Sequence, residues 1–154
     1  MANPSLSSDG EIQGNIHVLN LRVYYEDTDA QGVVYYANYL KYFERGRTEM
    51  LRACGIDQSA LLSSQSEATF FVVKTLNVDY KKPARLDDIL CVKTTLSGIK
   101  AASLRVEQEI FCGEDRIATA NVKVGVLGGD GRPKKLTDAL RQKMQGVMNE
   151  NGLG

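Results

Sequence analysis

Two aspartates one residue apart, Asp27 and Asp29, stand with Gly32 in the run YYEDTDAQG, between a strand-like and a helix-like stretch. Three chemistries fit such a group. The first is a turn in which carboxylates accept backbone N–H bonds from their own loop. The second is calcium binding, since D-x-D-x-Q-G imitates the start of an EF-hand loop. That reading fails at its end, where Asn38 stands in place of the bidentate Glu and the preceding segment alternates like a strand. The third is catalysis: a carboxylate at a helix start can act on a carbonyl whose oxygen points at the helix's unpaired N–H groups.

The elements that must hold this group can be read from the rest of the chain. At 154 residues the chain is the size of one domain. Its 19 basic and 19 acidic residues cancel, which removes the usual drive toward nucleic acid or anionic membrane. Cys54, Cys91 and Cys112 are odd in number and form no CxxC pair. A disulfide framework and a zinc ribbon are therefore not expected, and a reducing cytoplasm is. No stretch has the length of a membrane span or the character of a signal peptide. Residues 1–15 and 149–154 are expected to be mobile tails around a domain at 16–148.

From Tyr36 onward apolar residues recur at Tyr39, Leu40, Phe43, Met50, Leu51 and Cys54, which predicts an amphipathic helix over 37–54 stopped by Gly55. Arg47 interrupts its apolar stripe. Gly46 weakens the helix by roughly 1 kcal/mol relative to Ala, so close packing against another element is the one explanation available for it. A period of two marks the strands instead. Leu19, Leu21, Val23 and Tyr25 share one face before the helix, and Leu76, Val78 and Tyr80 share one after it. Three more runs follow, carrying Leu90 to Leu96, Leu104 to Ile110, and Ala118 to Val126. Turn signals at Gly98, Gly113 and residues 128–133 separate them, and such short connections favour antiparallel neighbours. A helical turn in DQSALLSS and a closing helix at 137–148 with Thr137 as N-cap complete the list. The expectation is an α+β domain, with one long helix against a four- or five-stranded antiparallel sheet.

The run YEDTDAQGVVYYANYLKYFERGRTEMLR closely resembles the signature of the 4-hydroxybenzoyl-CoA thioesterase family, in particular its YbgC-like members associated with the Tol-Pal system. The form is D-x-D-x-x-G-x-V-aromatic, then N-Y, then F-E-x-x-R-x-E. YKKPARLDDIL, ASLRVEQEIF and RIATANVKVGVL extend the likeness to about residues 18–137. The resemblance implies the hotdog fold, a curved antiparallel sheet wrapped around a central helix, and acyl-CoA thioester hydrolysis with no metal or redox cofactor. It also implies homodimers or homotetramers with active sites at the subunit interface, and a substrate carried on coenzyme A or on acyl carrier protein.

Carried over residue by residue, the reactive carboxylate is Asp29, as nucleophile or general base, and the Tyr36 backbone N–H polarises the thioester carbonyl. Gly32, Val33 and Tyr35 flank the substrate. Lys100 and Ser103 match the nucleotide contacts, and Lys82, with Lys81 and Arg85, lies where coenzyme A phosphates could be met. Tyr36 departs from the pattern, because many YbgC-like members carry His there. The sole histidine, His17, matches no family site and is expected at a surface or edge. That departure keeps a non-catalytic acyl-binding or scaffold protein open as the alternative. A hotdog dehydratase fits less well, since its chemistry uses a His.

Overall fold

The structure, a computed structural model, describes residues 9–63 and 68–148. One antiparallel sheet of six strands runs in the order β1-β2-β4-β5-β6-β3. Its strands are β1 (Glu11–Gln13), β2 (Ile16–Arg22), β3 (Thr69–Tyr80), β4 (Ile89–Ile99), β5 (Ser103–Cys112) and β6 (Asp115–Gly128). Three helices accompany them, α1 (Asn38–Ala53), α2 (Gln58–Ser63) and α3 (Asp138–Met148). Irregular register at Val73/Thr75, Leu96/Gly98 and Ile110/Phe111 bends the long strands, and the curved sheet wraps α1. This is the hotdog architecture. No helix among the described residues is long and apolar enough to cross a membrane.

Alternation in the sequence becomes the core directly. Leu90, Val92, Thr94 and Leu96 of β4 are buried, as are Leu104, Val106, Gln108 and Ile110 of β5, against Tyr39, Tyr42, Phe43, Met50 and Leu51 of α1. Thr137 caps α3 as expected, its Oγ1 accepting the Leu140 N–H at 3.2 Å. The α3 residues Leu140 and Met144 join the same core.

Three expectations are corrected. The sheet has six strands, because Glu11–Gln13, inside the expected tail, pair with Ile16–Val18 across a Gly14-Asn15 turn. Gly14 has φ +64°, the left-handed value that the first position of a II′ hairpin turn demands. The expected tails at 1–8 and 149–154 lie outside the described residues. Tyr25 does not continue β2: a 3-10 turn at Tyr25–Asp27 ends the strand and leaves Tyr25 82% exposed. His17 is not at a surface but fully buried, its Nε2 bonded to the Asp9 carbonyl at 2.9 Å. The causes are its place on the inward face of β2 with Leu19 and Leu21, and β1, which adds a further strand beside β2 and brings Gly10 over the imidazole.

Gly46 has the packing explanation. A Cβ there would come within 2.7 Å of Thr94 Oγ1, 2.8 Å of Val92 Cγ1 and 2.9 Å of Gln108 Nε2. At this closest approach of helix and sheet the buried Gln108 amide donates to Phe43 O at 2.8 Å and to Thr94 Oγ1 at 2.9 Å. Arg47 donates to Gln108 Oε1 at 3.0 Å and lies 3.5 Å from Glu44. The buried guanidinium is thus met by an amide oxygen and a carboxylate, as a charge out of water requires.

Candidate active site

The loop from β2 to α1 is built by its own polar side chains. Asp27 Oδ2 accepts the Tyr24 N–H at 2.8 Å and holds the 3-10 turn. Asp29 Oδ1 accepts the Gln31 N–H at 2.8 Å, and the Gly32 N–H closes on Asp29 O at 3.0 Å. Turn chemistry therefore does occur here, and it leaves the Asp29 side chain exposed. Gly32 has φ +79°, a conformation L side chains avoid, with open space where a Cβ would stand.

The loop then folds back on itself and against the chain after β3. The Asp29 N–H donates to Val33 O at 2.9 Å and the Tyr35 N–H to Asp27 O at 3.0 Å, so residues 27–29 lie antiparallel to 33–35. The Val34 N–H donates to Ala84 O at 2.8 Å and the Leu86 N–H to Gly32 O at 3.2 Å. Val33 faces Arg85 as a bridge partner. The Ala84 N–H is accepted by Tyr39 Oη at 3.1 Å, which ties this second loop to α1 as well.

Tyr36 stands just ahead of α1, whose N-cap Ala37 offers no side chain to its first N–H groups. Among the described residues the Tyr36 N–H donates to no backbone carbonyl. A helix end left without a side-chain cap can hold a substrate oxygen by donating its free N–H groups to it. Beside it a cleft of about 290 Å³ is lined by Val34, Tyr36, Tyr39, Tyr80, Lys81, Lys82 and Pro83. The Tyr36 and Tyr80 rings meet edge to face at 6.1 Å, and Tyr39 and Tyr80 at 5.5 Å. The aromatic run of the sequence is thereby divided: Tyr39, Tyr42 and Phe43 are core, while Tyr35 and Tyr36 are half exposed. Tyr80, at the end of β3, escaped the sequence reading as a site residue, because only the fold brings that strand end to the helix start.

Not every expected residue reaches this place. Lys82 does, but its Nζ is held by Asp115 at 2.9 Å. Lys100 and Ser103 do not. They turn between β4 and β5, and Ser103 pairs with Gly125 on β6, whereas Tyr80 pairs with Ala118. Seven residues along an extended strand separate the two ends by roughly 23 Å. Thiol chemistry is absent from the site, and burial pushes the Cys54 thiol up to about 11, away from a reactive thiolate. No group of His, Cys, Asp and Glu that could hold a metal ion occurs among the described residues.

Comparison with known proteins places the chain. The Thioesterase superfamily profile (4HBT) matches residues 31–119, from the turn glycine's neighbour through β5 and into β6, and the chain belongs to that family of thioester hydrolases. Within it the chain is YbgC-like. It is 51% identical over 107 residues, 70% of this chain and 77% of the relative, to the acyl-CoA thioesterase YbgC of Haemophilus influenzae. It is 46% identical over 97 residues, 63% of this chain and 70% of the relative, to the acyl-CoA thioester hydrolase YbgC of Escherichia coli. Among solved structures, a probable thioesterase from Bartonella henselae superposes with a TM-score of 0.76 at 39% identity, covering 79% of this chain and 99% of that one. A Thermus thermophilus thioesterase crystallised with coenzyme A and zinc gives 0.75 at 26% identity, covering 90% and 98%.

Proposed function

We propose that the protein hydrolyses the thioester of a small or medium acyl-CoA, with Asp29 as the reactive carboxylate and the Tyr36 N–H as the oxyanion donor. The observation that carries this reading is the antiparallel fold-back of residues 27–29 on 33–35, which holds the exposed Asp29 carboxylate, opposite Val33, in the loop that leads into the uncapped start of α1. The thioester carbonyl points at the Tyr36 N–H, whose dipole and that of the helix stabilise the negative charge developing on oxygen. Asp29 attacks the carbonyl carbon directly or removes a proton from the attacking water. The thiolate then leaves. No imidazole takes part, because His17 is buried at the other edge of the sheet, between β1 and β4.

The acyl group lies in the Tyr36–Tyr39–Tyr80 cleft, flanked by Val33 and Tyr35. For the phosphates of the thiol carrier, Lys81 and Arg85 are better placed than Lys82: neither has an ion pair among the described residues, and Lys82 is occupied by Asp115. Acyl carrier protein is the other carrier consistent with this mouth. We further propose that two chains pair through β3, a twelve-residue strand at the sheet edge. Antiparallel pairing across that edge sets the Thr69 end of one β3, the end of the sheet that holds Ser103 and Lys100, alongside the Tyr80 end of the other. Lys100 and Ser103 then serve the neighbouring site. Three cysteines without disulfides accord with work in a reducing cytoplasm.

The test is thiol release from short, long and aromatic acyl-CoA esters by wild type and Asp29→Asn, with the chain's own thiols subtracted. Asn retains a side-chain oxygen for the Gln31 N–H, so the turn is kept while the carboxylate is lost. Turnover is expected to fall by at least ~10²-fold. Near wild-type turnover in the folded variant removes Asp29 from its role. Stabilisation of wild type by acyl-CoA without its consumption makes the chain a binding protein.

A further inference from the structure

Tyr42 lies in the middle of α1, 1% exposed, and its buried hydroxyl makes no well-formed hydrogen bond among the described residues. A buried polar atom left in that state is unfavourable, so its placement calls for a physical reason. Asn38 and Tyr42 are one helical turn apart and face the same neighbour. The Asn38 amide donates to the Asp27 carbonyl at 2.8 Å, and the Asp27 carboxylate lies against the Tyr42 hydroxyl. Burial first, and then that carboxylate, raise the Tyr42 phenol well above the ordinary tyrosine range. It is therefore a permanent donor near neutral pH.

Asp27 is the point where the catalytic loop is tied together. Its Oδ2 accepts from the Tyr24 N–H at 2.8 Å, and its carbonyl accepts from the Tyr35 N–H at 3.0 Å as well as from Asn38. A small movement of Asp27 thus moves Asp29, two residues on, relative to Tyr36. We propose that Tyr42 is a positioning residue for hydrolysis: its O–H closes on the second carboxylate oxygen of Asp27 when acyl-CoA occupies the cleft, locking Asp29 against the start of α1. Such bonds are commonly long in a free enzyme and tighten in the complex with substrate. A donor that closes on a carboxylate only in the complex supports the chemical step more than substrate binding. This inference rests on the role proposed for Asp29.

The experiment is steady-state kinetics on wild type, Tyr42→Phe, Asp27→Asn and the double variant, with thermal melts of each. Tyr42→Phe is expected to lower kcat by about tenfold, the size of one hydrogen bond to a charged group, with KM unchanged and Tm not lowered. In the Asp27→Asn background the same substitution is expected to change kcat no further, because both act through one contact. Wild-type kcat in Tyr42→Phe overturns the proposal, with or without a lower Tm. An undiminished further loss in the double variant overturns it too. Should Asp27→Asn fail to fold, the split between kcat and KM in Tyr42→Phe decides alone. Hydrolysis by wild type with an unaffected Tyr42→Phe defeats this inference only, whereas absence of hydrolysis by wild type removes the thioesterase reading and this role together.

Discussion

His17 shows what a single buried side chain can impose. Its Nε2 bonds to the Asp9 carbonyl, which places the proton on that nitrogen, and its buried Nδ1 has no partner among the described residues. Burial lowers its pKa, against smaller opposing effects of the Asp9 bond and the Glu49 charge on α1. The folded state thus binds the proton less well than the unfolded chain does. The stabilising contribution of neutral His17 is fully present above the ordinary value of 6.5, and it is lost as pH falls from there toward the folded value. A urea midpoint is expected to drop between about pH 7.5 and about pH 5.5, and to drop less in His17→Gln. An equal drop in both proteins would remove His17 as the cause. The period of two carried back from Leu21 and Leu19 puts His17 on their inward face, whereas the strand that covers the imidazole is only three residues long and shows no period of its own. The turn at Asp29 was legible for a different reason: its loop is closed by local hydrogen bonds, Asp29 Oδ1 accepting from Gln31 and Asp29 O from Gly32. Lys100 and Ser103 were placed by likeness alone, and strand register sets them at the far end of the sheet from Tyr36 within one chain.

At the level of elements, α1 and the alternation of β4, β5 and β6 were readable because each has one face in the core and one outside. Tyr25 misled for a physical reason, since apolar alternation ran on past the residue where the Asp27 side chain turns the backbone. The Gly14-Asn15 turn was a usable hairpin signal for β1, but three residues are too few to show a period. Gly46 is the element-scale feature with the sharpest consequence. On helix propensity alone Gly46→Ala should stabilise α1 by about 1 kcal/mol. Contacts of 2.7 to 2.9 Å with Thr94, Val92 and Gln108 oppose that gain, because helix and sheet must separate or the Gln108 bonds must break. Overpacking of this kind destabilises by ~1–3 kcal/mol, so the net effect is expected to be a loss. A denaturant midpoint equal to or above wild type would show that the two layers can part freely at this point.

The whole molecule poses the question of the edge. Strand order was not legible from periodicity, which assigns faces but not neighbours, and among the described residues the order found puts β3 at one edge of the sheet. Natural sheets blunt such edges with short strands, prolines or charges. β3 has twelve residues and no proline, its one bulge is at Lys74, and Phe70 and Val73 are partly exposed along it. The proposed pairing with a second β3 would satisfy the backbone groups of that edge and unite the Tyr36 cleft of one chain with the Ser103 end of the other. A like charge placed near the middle of that seam meets its own symmetry mate, which opposes association. Val73→Glu is therefore expected to shift the chain toward monomer in light scattering after gel filtration. Its thioesterase activity should fall in parallel and recover in part as protein concentration rises. Lys81→Ala, just past the end of β3 and outside its ladder, should raise KM for acyl-CoA without changing mass. A Val73→Glu variant that is monomeric and fully active would mean that one chain suffices for hydrolysis, and that Lys100 and Ser103 have no part in it.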